Sequence, residues 1–181
     1  TKHTPLTTYG MTKAMGEMLI NDYTRKGFID GRSARLPTII IRPGKPNTAA
    51  SSFASGVFRE PLAGNTCELP VDRSQLIPVL GYHDAVESFI ALHEAPLTAL
   101  GNDRAFGLPS IQLSVADMIE ALEEVATSRH IPLGKIIDKP DPAIPRLVAT
   151  WPVATHGARA PQAGVPAPPG PVPVLAADID A

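Results

Sequence analysis

Apolar residues recur at three- and four-residue steps from Thr8 to about Lys26. Met11, Met15, Met18, Leu19 and Tyr23 draw one stripe, which predicts an amphipathic helix ending at Gly27. The period then changes. Ser33 to Ile41 (SARLPTIII) is a short apolar run rich in β-branched residues, and it predicts a strand buried in a parallel sheet. Pro37 lacks a backbone donor, so a central strand must end or bend there. Arg42 to Ser52 is made of turn residues and reads as a loop, followed by a short helix from Ser52 through Arg59. Thr66 to Val71 and Gln75 to Leu80 read as two short strands, and Arg104 to Leu108 as another. His83 to Ala95 predicts a helix with Val86, Phe89, Ile90 and His93 on its packing face. Ser114 to Ser128 is the clearest helix. Ser114 is its N-cap, Asp117 completes a capping box, and Val115, Met118, Ile119, Leu122 and Val125 form the stripe. Ile136 and Ile137 begin a last strand, and Pro140, Pro142 and Pro145 end regular structure.

After Trp151 the pattern is lost. Residues 152–181 hold seven prolines, no lysine and no glutamate. Such a segment buries too little surface to offset its ordering entropy, and it is expected to be a disordered tail.

Composition narrows the classes. The 181 residues suffice for one domain with a real core. A formal net charge of −2 argues against a nucleic-acid partner. No apolar stretch approaches the roughly 18 residues of a membrane span, and the N-terminus lacks a signal-like run, so no membrane partner is expected. One cysteine, Cys67, permits no internal disulfide, which fits a reducing cytoplasm. Cys67 reads as structural, and His93 as packed beside the core. His83 and Asp84 read as a helix start, with Asp84 favoured there by the helix dipole. No residue spacing suggests a metal site.

The candidate chemistry lies in YGMTK. Tyr9 and Lys13 are four apart, so a helix puts phenol and ammonium on one face. Free tyrosine titrates near pKa 10, and a nearby cation favours the phenolate. A tyrosine so placed can accept a proton from a substrate hydroxyl. By itself the spacing is also that of many surface helices. The context adds to it, because a helix, a β-branched strand and a turn-rich loop follow in the order found around ligand sites of open α/β sheets.

With its context, YGMTKAMGEMLINDYTRKG followed by SARLPTIIIRPG resembles the extended short-chain dehydrogenase/reductase family. LIPVLGYHDAVESFIALHEA and RAFGLPSIQLSVADMIEALEEV resemble later elements of its substrate-binding region. The likeness covers roughly residues 1–151. RLPTIIIRPGKPNTAASSFASGVFREPLAG is similar to the D-erythronate dehydrogenase subfamily, NAD-dependent enzymes oxidising a four-carbon sugar acid at C2. The resemblance implies an α/β fold: the C-terminal part of a Rossmann-type doubly wound sheet with a small α/β substrate-binding region. Residues 1–44 would be the remnant of the Rossmann domain, 45–151 the substrate-binding region and 152–181 the tail.

The resemblance also implies roles. Tyr9 would be the acid/base, and Lys13 would hold the nicotinamide ribose and assist the tyrosine. Pro37, Thr38 and Ile39 would lie against the nicotinamide, the cofactor being NAD, with NADP open. Asn47, Ser51, Ser52 and Arg59 would contact a small sugar acid. Arg59 suits a carboxylate but equally suits a solvated helix end, and Arg42 and Lys45 are weaker candidates. Ser51 and Ser52 suit helix capping as well. The family's phosphate-cradling glycine pattern is absent from the sequence, and so is an acidic ribose-binding residue about 20 positions after it. The expectation is therefore a chain without the dinucleotide-binding half, inactive alone, whose full-length form is a homodimeric dehydrogenase. Alternatives are a nucleotide-sugar epimerase or dehydratase of the same family, or a non-catalytic remnant that binds another subunit.

Overall fold

The computed structural model describes residues 3–41, 51–151, 155 and 157–179, apart from the side chains of Pro145 and Leu147. The chain opens with helix α1 (Thr8–Arg25), then strands β1 (Ser33–Arg35) and β2 (Thr38–Ile40) and helix α2 (Ser52–Leu62). Strands β3 (Cys67–Leu69) and β4 (Leu76–Gly81) lead into α3 (Tyr82–Glu94) and α4 (Leu97–Leu100). Strands β5 (Ala105–Gly107) and β6 (Ile111–Ser114) precede α5 (Val115–Ser128), β7 (Ile136–Asp138), α6 (Ala143–Val148) and α7 (Pro171–Ile179).

The single strand expected from Ser33 to Ile41 splits at Leu36–Pro37, as the proline requires. Its first half pairs in parallel with β5, and its second half pairs in parallel with β4. β4 is central, since β6 pairs antiparallel on its other edge. A third small sheet joins β3 and β7 in parallel. The mixed α/β class with parallel pairing agrees with the sequence.

Two apolar clusters result. One packs Val57 and Phe58 of α2 and Ile77 and Val79 of β4 against Met118 and Leu122 of α5. The other gathers Leu80, Ala85, Leu92, Phe106 and Leu108. The α5 start is as the sequence reads it. Ser114 Oγ accepts from the Asp117 N–H at 3.1 Å, and Asp117 Oδ2 accepts from the Ser114 N–H at 2.8 Å. Cys67 is a buried free thiol, and burial raises its pKa.

Three expectations need correcting. In α3 the packed face is Ala85, Ser88 and Leu92, whereas Val86, Phe89, Ile90 and His93 are exposed. Small residues let the helix lie close to its sheet, so bulk was the wrong guide to the packed face. The tail, expected to be disordered, folds in the described residues. Ala160, Ala163 and Val165 join the second cluster, and Val174 and Leu175 of α7 join the first. Each fully buried valine or leucine contributes about 1.5–3 kcal/mol, so an aperiodic segment can be held by a surface already formed. Regular structure also continues past Pro140, through α6.

Candidate active site

Helix α1 begins where Thr7 caps it, its Oγ1 accepting from the Gly10 N–H at 3.0 Å. Tyr9 is 73% exposed, and Lys13 is exposed beside it. The Lys13 ammonium stands 5.3 Å from the Tyr9 ring centroid, the neighbourhood that an i, i+4 pair gives on a helix.

The helix docks through polar groups. Arg35 donates from Nε to Glu17 Oε1 at 2.7 Å and from Nη2 to Glu17 Oε2 at 2.6 Å. These hydrogen bonds push the Arg35 guanidinium pKa further up. Asn21 Oδ1 accepts from the Arg104 N–H at 2.9 Å, and Thr24 Oγ1 accepts from the Gly31 N–H at 3.1 Å. Meanwhile the expected apolar stripe of Met11, Met15, Met18, Leu19 and Tyr23 faces solvent, and α1 has no buried residue.

These bonds set the level of the pair. Arg104 lies beside Ser33 at the start of β1, since the Ser33 N–H donates to the Arg104 carbonyl at 2.8 Å. Asn21 therefore marks the start of β1 and Glu17 its end, so α1 runs antiparallel to the strand. From Glu17, Lys13 and Tyr9 are about 6 and 12 Å further along the helix. Beyond Arg35 the chain passes at Leu36–Pro37 from the β1–β5 pair to the β2–β4 pair.

Pro37 is buried, and Thr38 and Ile39 are half-buried. The Ile39 carbonyl accepts from Ser55 Oγ at 3.3 Å, which ties the strand to α2. The next residues bend sharply: Ile41 has φ 55°, a left-handed conformation costly for a β-branched residue.

The substrate candidates are less concentrated. Asn47, with Arg42 and Lys45, lies outside the described residues. Ser51 and Ser52 open α2 half-buried, and Ser51 makes no side-chain capping bond. Arg59 is two turns further along α2, about 10 Å from Ser52 by helical rise. Its Nε donates to Glu60 Oε1 at 3.0 Å. Glu60 Oε2 also accepts from Asn65 Nδ2 at 3.3 Å. The described depressions, of about 480 and 510 Å³, lie elsewhere. One is by Thr127 and His130, and the other is between Asn21, Arg25 and Arg104.

One charged site escaped the sequence reading. Asp178 of α7 is 8% exposed and caps the first turn of α3. Nearly a hundred residues separate the partners, and no local pattern marks the contact. Among the described residues no three His, Cys, Asp or Glu side chains are grouped to hold a metal, and no helix is long and apolar enough to cross a membrane.

No family model matches this chain. It is 43% identical over 156 residues to a D-erythronate dehydrogenase of Cupriavidus necator, covering 86% of this chain and 48% of that protein. It is 43% identical over 155 residues to a D-erythronate dehydrogenase of Haemophilus influenzae, covering 84% of this chain and 48% of that one. Among solved structures it matches a nucleoside-diphosphate-sugar epimerase of Agrobacterium tumefaciens, with a TM-score of 0.88 and 38% identity. That alignment takes in 98% of this chain, tail included, and 51% of the epimerase. The chain spans about half the length of the relatives it matches.

Proposed function

We propose that this chain, 43% identical to two D-erythronate dehydrogenases, is of the extended short-chain dehydrogenase/reductase family and carries the catalytic pair of an NAD-dependent sugar-acid dehydrogenase. The supporting observation is that Tyr9 and Lys13 stand side by side on one exposed face of α1, a helix that Glu17 and Arg35 hold against β1. An exposed phenol beside an ammonium, on a helix held against a parallel strand, is chemically suited to a dinucleotide site.

When bound, NAD (or NADP) supplies the hydride acceptor. Tyr9 Oη takes the proton of the hydroxyl at C2 of a D-erythronate-like acid as that carbon gives up its hydrogen with the bonding pair. The alcohol becomes a carbonyl, and the proton rests on Tyr9. Lys13 Nζ, 5.3 Å from the Tyr9 ring centroid, would donate to the ribose hydroxyls. Pro37, Thr38 and Ile39 would form the wall against the nicotinamide. Asn47, Ser51 and Ser52 bind substrate hydroxyls, and Arg59 receives the carboxylate by exchanging its present partner, Glu60.

The activity belongs to a protein of the relatives' length. The 181 residues alone are expected to bind NAD weakly and to transfer no hydride, because the sequence has no phosphate-cradling glycine pattern. Such an enzyme would work in the cytoplasm as a homodimer, with the outward stripe of α1 against a second copy. The likeness to the Agrobacterium epimerase supports a second reading, a nucleotide-sugar epimerase. The two separate in one assay on a full-length protein. D-erythronate with NAD is expected to yield NADH, and UDP-glucose to remain unchanged. The reverse outcome selects the epimerase.

A further inference from the structure

We propose that α7 is a proton-linked latch on the turn between β4 and α3, in which Asp178 caps α3 and Asp84 sets how tightly it does so. Asp178 Oδ2 accepts from the Tyr82 N–H at 2.8 Å, and Oδ1 accepts from the His83 N–H at 3.1 Å. These are two donors that a helix leaves unpaired in its first turn. Gly81, the N-cap, has no side chain to satisfy them.

The glycine is what lets α7 in. A Cβ on Gly81 would stand 2.7 Å from Val174 Cγ1, 2.8 Å from Asp178 Oδ2 and 2.9 Å from Asp84 Oδ2. Both carboxylates therefore crowd the same point above the turn. Gly81 is the register partner of Ile40, so the latch holds the carboxyl end of β4 beside that of β2. Val174 and Leu175 bury the apolar side of the same helix.

The charges around the latch set its pH response. From α3 come His83, Asp84 and Glu87, and from α7 comes Asp178. β4 is uncharged along its length, and past the end of α5 Arg129 donates to the Ala176 carbonyl at 3.0 Å. Burial raises the Asp84 pKa, and the charge of Asp178 raises it further. The docked latch thus binds a proton at Asp84 more readily than the undocked one. Docking is expected to tighten as pH falls toward the carboxylate range and to loosen as pH rises through the raised pKa.

The test is amide protection at Tyr82 and His83 in the 181-residue chain, corrected for intrinsic exchange, followed from neutral pH down to the ordinary carboxylate value of 3.8. In the unaltered chain protection should rise severalfold on acidification. Asp84→Asn should be highly protected at pH 7 and insensitive to pH. Asp178→Asn and Gly81→Ala should lose protection tenfold or more at these two amides and across α7, while the interior of α5 stays protected. A pH slope that survives Asp84→Asn would belong to His83 and would overturn the latch, as would an Asp178→Asn chain protected like the original. Should Asp178→Asn fail to fold, the titrations of the original chain and of Asp84→Asn still decide. Neither substrate nor cofactor enters the measurement, so its outcome is separate from that of the proposed reaction.

Discussion

Arg35 grips Glu17 through two parallel hydrogen bonds, of 2.7 and 2.6 Å, and so fixes the helix carrying Tyr9 and Lys13 against strand β1. The carboxylate is largely buried, with 15% of its side chain exposed, while the guanidinium is 48% exposed. Planar bidentate geometry makes this stronger than an ordinary surface pair.

Glu17→Ala should therefore cost about 1 kcal/mol in urea unfolding. Glu17→Gln, which keeps one acceptor, should cost less. Exchange should speed up in α1 ahead of the rest of the chain. An unchanged exchange pattern would mean that α1 is held by Asn21 and Thr24 alone.

The outward stripe of α1 invites self-association, as exposed apolar patches do. Met15 is 56% exposed and Leu19 is 59% exposed. Replacing both with glutamate should shift the chain toward monomer in sedimentation velocity and leave its thermal midpoint nearly unchanged. The change removes no buried contact.

The capping box of α5 offers a pH test. The Asp117 carboxyl is held below its ordinary pKa by the Ser114 side chain and then by the Ser114 backbone N–H. A depressed carboxylate stabilises above its unfolded pKa, near 3.9, and that stability is lost as pH falls through the folded value. Ser114→Ala should lower stability by about 1 kcal/mol at pH 7. It should also flatten the loss seen on acidification below about pH 4.

Local signals carried much of this fold. The α5 cap, the break at Pro37 and the Tyr9–Lys13 pair are all settled within a few residues of chain, and each was legible. What stayed hidden depends on distant partners. In α3 the small Ala85 and Ser88 are buried with Leu92, while the bulky Phe89 is 48% exposed. The tail looked unstructured because its valines and alanines have no period. They fold onto clusters already built by α5 and β4. Arg159 adds an anchor no pattern announces, donating to the Leu100 carbonyl at 2.7 Å and to the Asp103 carbonyl at 2.8 Å. At the candidate site, α1 is held against β1 by Glu17–Arg35, a pairing that neither residue advertises in sequence.

The central claim is that Tyr9 is the acid/base of a sugar-acid dehydrogenase. It is tested most directly in a chimera in which these 181 residues replace the matching part of the Cupriavidus necator D-erythronate dehydrogenase. The measurement is NADH formation from D-erythronate, with and without Tyr9→Phe. The expected result is an active chimera that loses activity about a hundredfold or more on losing the phenol oxygen, with NAD binding retained. A folded, NAD-binding chimera whose Tyr9→Phe form turns over as fast as its parent would contradict the account.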